Sequence, residues 1–260
     1  KQEAIETSIK KYLSVAEVYS VRGNLTQVTK IYQKVLKVAP MDVSVRSKLI
    51  ELYIAQNQID AALEQYEILA DAYYQLAQIE RSLEKHQEAL RLAPKSTTPK
   101  TWQVKILHRI GDIHTQLVDW AKAAAVYEQL VTLAPDDNKA ALNLIDMHFK
   151  LGRRDKALAA LDRAITREAQ QGRQAQMVEF LQDMTQLRPQ EMELHERLAQ
   201  LYVDLNMNEQ AIAQFDLLGE LQLDAGLHDD AARTIQKIID LGPDDPAGYK
   251  QLLAQIKGSL

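Results

Sequence analysis

Apolar residues recur every three or four positions along most of the chain, in stripes that prolines interrupt at intervals. This spacing places the apolar side chains on one face of an α-helix. Only 9 Gly and 7 Pro occur in 260 residues, whereas the turns between strands use both residue types freely. We therefore predict an all-α protein with about fourteen helices. The stripe before Pro135 illustrates the pattern and contains Leu107, Ile110, Tyr127 and Leu130.

Five prolines follow predicted helices whose last three residues are similar in sequence. Proline stops a helix, and acidic residues just after it suit the first N–H groups of the next helix. Asp42, Asp137 and Asp245 have this position and are predicted to cap helices rather than to bind a metal. The five endings are Lys37-Val38-Ala39-Pro40, Arg91-Leu92-Ala93-Pro94, Thr132-Leu133-Ala134-Pro135, Gln186-Leu187-Arg188-Pro189 and Asp240-Leu241-Gly242-Pro243.

The apolar and small positions before these prolines resemble the tetratricopeptide repeat. That repeat is a helix–turn–helix of about 34 residues with the pattern W-x2-L-G-x2-Y, A-x3-F and P. The resemblance covers almost the whole chain in degenerate copies, with Tyr12, Leu107 and Phe215 at the tryptophan position. It implies an α–α solenoid, or superhelix, in which each helix pair buries its stripe against its neighbours. Small residues that let two helices approach closely stand at Ala16, Gly111 and Gly219.

The proline spacing departs from a simple repeat. Four intervals separate the five prolines, one of 41 residues and three of 54. The longer interval adds about one helix and its turn to a repeat of about 34 residues. We predict three shared helices, each closing one repeat and opening the next, around 59–76, 154–171 and 208–225. The predicted organisation is one solenoid over 1–260, with units at about 1–40, 41–94, 95–135, 136–189 and 190–243 and a capping helix at 244–260.

A longer echo relates the two halves of the chain. Pro189 follows Pro40 by 149 residues, and several apolar, glycine and asparagine positions keep the same offset. We call this spacing the long offset. Chance alignment of ordinary repeats would rarely preserve so many positions, so the echo indicates a tandem duplication of a block of several helices. The further pairs are Gly23/Gly172, Leu49/Leu198, Tyr53/Tyr202, Asn57/Asn206 and Leu69/Leu218.

Composition excludes several classes of function. The formal net charge of −5 disfavours nucleic acid as the main partner, because neutralising phosphates needs a basic surface. No run of about eighteen apolar residues is present, so we expect no membrane insertion. The absence of Cys removes disulfides and thiolate metal sites. A chain without Cys suits the cytoplasm and the periplasm equally, and we assign it to the cytoplasm. Because the chain begins at Lys1 rather than Met, we expect a piece of a longer, bacterial-looking protein.

No set of nucleophile, base and orienting residue emerges, and no glycine-rich phosphate loop follows a strand. We therefore predict no enzyme and no cofactor. His114 and His148 share one motif position on successive first helices, and with Asp112 or Asp146 they would offer ligands to a metal. The alternative is that they replace buried aromatic residues. We predict no metal site, because the spacing places no third ligand.

The family uses the first helices of its repeats to line a groove for a partner segment. The mixed charges at the corresponding positions of this chain favour a polar peptide, and the ordered set that clamps a C-terminal carboxylate is absent. Because a shared helix is outer for one repeat and inner for the next, we expect a groove broken into short segments. Trp102 is either an exposed anchor for a partner or a packing residue. The residues that the resemblance assigns to the partner surface are Lys105, His108, Arg109, Asp112, Lys139, Asn143 and Asp146.

The leading hypothesis is a non-enzymatic scaffold that binds a protein or peptide partner on its repeat surface, with self-association through its open ends as a further possibility. The alternative is a regulatory segment that senses a peptide or ligand for a larger multidomain protein, such as an enzyme, a transcription regulator or a secretion component. A third hypothesis is a small-ligand or metal sensor at His114 and His148.

Overall fold

The computed structural model describes residues 2–258, and the side chains of residues 6–258. This range contains fourteen α-helices and no strand, so the predicted all-α repeat fold is confirmed. Residues 1, 259 and 260, which the predicted first unit and capping helix include, lie outside the described residues. The helices are α1 (Gln2–Val21), α2 (Leu25–Val38), α3 (Val43–Ala55), α4 (Ile59–Gln75), α5 (Ile79–Leu92), α6 (Pro99–Gln116), α7 (Trp120–Leu133), α8 (Asn138–Lys150), α9 (Arg154–Gln170), α10 (Gln174–Leu187), α11 (Met192–Asp204), α12 (Asn208–Asp224), α13 (His228–Asp240) and α14 (Pro246–Gly258).

The helices form two compact units, one comprising α1–α8 and the other α9–α14. Within each unit every helix packs against the next one along the chain. The division falls after Arg153, inside the predicted repeat unit 136–189. No described helix is long and apolar enough to cross a membrane.

Helices of 17 residues, α4, α9 and α12, are present where the three shared helices are predicted. Packing against both neighbours is seen for α4 and α12, whereas α9 begins the second unit and packs against α10. In α4, Ala62 and Leu69 are buried in a cluster with residues of α2 and α3. Ile59 and Leu63, on the other side of α4, are buried in a cluster with residues of α5 and α6. The helix therefore closes one pair and opens the next, and α12 packs in the same way against both α11 and α13.

Carboxylate side chains cap the starts of several helices, as predicted. Asp42, Asp137 and Asp245 each accept a hydrogen bond of 3.0 Å from the backbone N–H three residues further on. Each bond satisfies one of the N–H groups that a helix leaves open at its start. Two further caps, Asn24 and Asp119, are not predicted from the sequence, because no proline precedes them.

The echo between the two halves of the chain is present in the helix bounds. α10, α11 and α12 begin and end one long offset after α2, α3 and α4, and α9 ends one long offset after α1. The same three-helix arrangement thus occurs once in each unit.

The irregular loop between α5 and α6 is tied back to α4. Trp102 donates its indole N–H to Asp60 Oδ1 at 2.9 Å, and the backbone N–H of Thr97 donates to the other oxygen of that carboxylate at 3.1 Å. The indole ring also packs against the buried cluster that includes Ile106 and Ile110. Trp102 is therefore a packing residue and not an exposed anchor.

Candidate functional site

The seven residues predicted to face a partner all lie on α6 and α8 in the first unit. Two of them reach across to carboxylates of α4. Lys105 Nζ lies 2.7 Å from Glu67 Oε2, and Arg109 lies 3.2 Å from Asp71 Oδ2. Both cations are about half exposed, so each pair stabilises the fold by about 1 kcal/mol or less.

Asp112 continues this series towards α8. Its Oδ2 accepts a hydrogen bond of 3.0 Å from Lys139 Nζ, and its Oδ1 accepts one of 2.9 Å from the Tyr127 hydroxyl. Burial, with a contribution from the Asp112 carboxylate, raises the pKa of Tyr127 to about 12, and Asn143 interacts with the same hydroxyl. We call the paired charges on α4, α6 and α8 the ladder; it consists of Glu67–Lys105, Asp71–Arg109 and Asp112–Lys139.

The remaining predicted residues also have partners within the unit. His108 Nε2 lies 2.5 Å from Oδ2 of Asp137, the carboxylate that caps α8. Asp146 pairs with Lys150 one turn further along α8, at 2.7 Å. Five of the predicted residues therefore connect α6 to α4 or to the start of α8, while Asp146 pairs within its own helix.

The buried histidines lie at packing positions. His86 is only 2% exposed, and burial lowers its pKa to about 4, so the ring is neutral near pH 7. His114 and His148 are buried as well, and burial lowers the pKa of His114. Among the residues that the structure describes, no group of three His, Cys, Asp or Glu is arranged to hold a metal.

A different feature, which the sequence analysis missed, is a groove of about 650 Å³ in the second unit. We call it the α10–α12 groove, since those three helices and the turn after α10 line it. Amide side chains dominate its polar surface, leucines form its apolar surface, and two carboxylates lie at α12. The lining residues are Gln182, Thr185, Gln186, Pro189, Gln190, His195, Leu198, Tyr202, Gln214, Leu217, Glu220, Leu221 and Asp224.

Hydrogen bonds hold the polar lining in place. Gln182 donates from Nε2 to the Tyr202 hydroxyl at 2.7 Å. The two ring nitrogens of His195 lie 3.0 Å from Gln214 Oε1 and 3.0 Å from the Pro189 carbonyl oxygen. Each bond joins different parts of the lining, so the groove is formed before any partner arrives.

The first unit contains the same groove, with a volume of about 430 Å³. We call it the α2–α4 groove. Gln33 Nε2 donates to the Tyr53 hydroxyl at 2.7 Å, and Arg46 donates to Gln65 Oε1 at 2.6 Å and to a proline carbonyl at 2.5 Å. Every lining residue stands one long offset before a lining residue of the α10–α12 groove; they are Gln33, Leu36, Lys37, Arg46, Leu49, Tyr53 and Gln65.

Exposed apolar side chains accompany both grooves. Val38 and Leu187 directly follow lining residues at the ends of α2 and α10, and both are exposed. Ile68 and Leu217 are equivalent positions on α4 and α12, each 44% exposed. One sequence signal could have revealed the grooves. Gln182 repeats Gln33 and Gln214 repeats Gln65 at the long offset, and polar positions have no packing reason to be repeated.

Comparisons with known proteins identify the repeat. Residues 109–173 match the family model described as tetratricopeptide repeat. The chain is 30% identical over 154 residues to Protein SULFUR DEFICIENCY-INDUCED 2 of Arabidopsis thaliana, an alignment that covers 58% of this chain. It spans about half of that relative, namely 50% of its length. The family match covers residues 109–173, and the helix pattern in the rest of the described chain is of the same kind.

The solved structures that match this chain have low sequence identity and low TM-scores. A tetratricopeptide repeat protein from Parabacteroides merdae is 17% identical with a TM-score of 0.32, and the match covers 96% of this chain and 99% of that one. MamA from Desulfovibrio magneticus RS-1 is 17% identical with a TM-score of 0.35, and the match covers 83% of this chain and 96% of that one.

Proposed function

We propose that this protein is a non-enzymatic interaction scaffold whose two grooves each bind an extended segment of a partner protein. The observation that carries the proposal is the repetition of the groove. The same lining positions and the same hydrogen-bonded pairs occur in both units, separated by the long offset. Many of the residues around them differ.

The lining chemistry suits a peptide backbone. An extended segment presents N–H and C=O groups in alternation, and a glutamine side chain both donates and accepts hydrogen bonds. Gln186 and Gln190 line the α10–α12 groove, and both side chains are exposed. Leu217 and Leu221 on α12 provide the apolar contact that a partner side chain needs. The groove of about 650 Å³ falls within the range of about 300–1,000 Å³ that pockets for small molecules usually have.

The ladder on α4, α6 and α8 is less suited to this role. Its lysines and arginine already face carboxylates at 2.7–3.2 Å. A charged partner would have to compete with those internal pairs. The seven residues assigned from the family resemblance therefore stay a prediction for a second surface, and we place the main binding site in the grooves.

A random twelve-residue peptide library displayed on phage tests the proposal. Clones enriched on the whole chain would be synthesised with a fluorescent label and their affinities measured by anisotropy. Leu217→Asp places a charge in the α10–α12 groove, and we expect it to weaken at least one family of peptides about tenfold, the effect of losing one buried leucine contact. Leu117→Asp is the matched control, because Leu117 is 50% exposed and lies outside both grooves.

Affinities that neither substitution changes would place the binding elsewhere and refute the proposal. A library without enriched clones would refute it as well. Melting curves of both variants show whether the fold is retained, and the exposed positions of both leucines favour that result.

A further inference from the structure

The two grooves have equivalent lining positions but differ in charge. The α2–α4 groove is lined by Lys37 and Arg46 and by no carboxylate. The α10–α12 groove is lined by Glu220 and Asp224 and by no lysine or arginine.

The difference extends along the first helix of each groove. α2 carries Lys30, Lys34 and Lys37 and no acidic residue. The equivalent positions of α10 are Glu179, Asp183 and Gln186, and α10 has no lysine or arginine. The charge of this helix is therefore reversed between the two units.

The carboxylate at the equivalent place on α4 does not cancel the charge of the α2–α4 groove. Asp71 stands one long offset before Glu220, and in the ladder it pairs with Arg109 at 3.2 Å. Glu220 has no ion-pair partner among the described residues, and neither has Asp224, one turn further along α12. The three lysines of α2 likewise have no ion-pair partner within the described part of the chain. Both grooves thus keep an uncompensated charge, of opposite sign.

Uncompensated charges select partners, because a like charge placed against them is repelled while the opposite charge is attracted. On the basis of the proposed function, we infer that the α2–α4 groove binds an acidic segment and the α10–α12 groove a basic segment. The shared glutamine, tyrosine and leucine positions would hold the backbone in both. The chain would then bring together two partner segments of opposite charge.

Two charge-reversal variants of the whole chain test the inference with the peptides selected above. Glu220→Lys with Asp224→Lys alters the α10–α12 groove, and Lys34→Glu with Lys37→Glu alters the α2–α4 groove. All four side chains are exposed, so melting curves should match those of the parent chain.

We expect the library to yield one basic and one acidic family of peptides. The first variant should weaken the basic family at least tenfold and leave the acidic family within about twofold, and the second variant should do the reverse. Both affinities should fall as salt is raised. Peptides that lose affinity in Leu217→Asp but have no common charge, or two families that respond to the same variant, would overturn the inference and leave the proposed function standing. Peptides that respond to no groove substitution would instead refute the proposed function itself.

Discussion

Arg46 and His195 occupy the same place in the two halves of the chain and make the same two connections. Each side chain bridges the carbonyl oxygen of the proline after the preceding helix and the amide oxygen of a glutamine on the following helix. Both are buried, at 6% and 5% exposure. A buried polar side chain without partners is costly, so Arg46 and His195 each require polar partners on two sides. Arg46 connects Pro40 with Gln65, and His195 connects Pro189 with Gln214.

Substitution of these residues should show that requirement. Arg46→Leu and His195→Leu remove both polar connections of the side chain. We expect each substitution to lower the free energy of unfolding by about 1–3 kcal/mol. His195→Arg restores both connections in the form that the first unit uses, and should change stability by less than about 1 kcal/mol. Urea unfolding followed by circular dichroism measures all three. An equal loss of unfolding free energy in His195→Leu and His195→Arg would contradict this explanation. It would show that side-chain volume, and not the two polar connections, determines which residue this position accepts.

Gly111 provides a second test, of the close approach between α6 and α7. A Cβ at this position would lie 2.8 Å from Cε1 of Tyr127, a ring that is fully buried and bonded to Asp112. Since that ring has no space to move into, Gly111→Ala should destabilise the protein by about 1–3 kcal/mol.

The matched control for this prediction is Gly219→Ala, at the same motif position on α12. Its Cβ would meet Cδ1 of Ile235 at 3.5 Å, an ordinary contact. Alanine is favoured over glycine within a helix by up to about 1 kcal/mol, so this variant should be at least as stable as the parent. Thermal unfolding compares the two. Equal changes in melting temperature would contradict the steric explanation.

His86 should make stability depend on pH. Burial lowers its pKa from 6.5 to about 4 in the folded protein, so between these values the unfolded chain binds a proton that the folded chain does not. Stability therefore rises with pH through this window, and acid removes about 3 kcal/mol as the pH falls from 6.5 to 4. In His86→Leu this part of the slope should be absent. Chemical unfolding at pH 7 and pH 4.5 measures the slope, and an unchanged slope would assign it to other groups.

The ladder residues provide a test that separates the two candidate surfaces. Lys105→Ala, Arg109→Ala and Asn143→Ala combined remove two exposed ion pairs and one amide. The stability cost should be small, about 1–2 kcal/mol in total. Peptides bound in the grooves should keep their affinity within about twofold, measured by anisotropy against the parent chain. A tenfold loss would move the partner site from the grooves to α6 and α8.

The helical pattern of this fold can be predicted from the sequence without any tertiary contact. Spacing of three and four marks the buried face of each helix, and proline and aspartate mark its ends, because these signals act within one turn of the chain. The shared helix α4 was predictable for the same reason, since Ala62, Leu69 and Leu63 all stand within a single helical segment.

The candidate binding residues could not be predicted from local sequence in the same way. Lys105 was assigned to a partner surface, yet its carboxylate partner Glu67 lies 38 residues earlier in the chain. Nothing in the local sequence records that pairing. Gln33, Arg46 and Gln65 lie on three different helices and look like ordinary polar positions of each. Apart from the recurrence of the two glutamines at the long offset, only their meeting in one groove distinguishes them.

The sequence and the tertiary structure therefore determine different features of this protein. Helix number, helix bounds, the repeat class and the echo at the long offset follow from the chain alone, since short-range sterics and the period of the apolar stripe determine them. Which charges neutralise each other, and which polar side chains join into a groove, depends on how α2, α3 and α4 pack and on how α10, α11 and α12 repeat that packing. These contacts form across helices, where the distance along the chain does not indicate the distance in space.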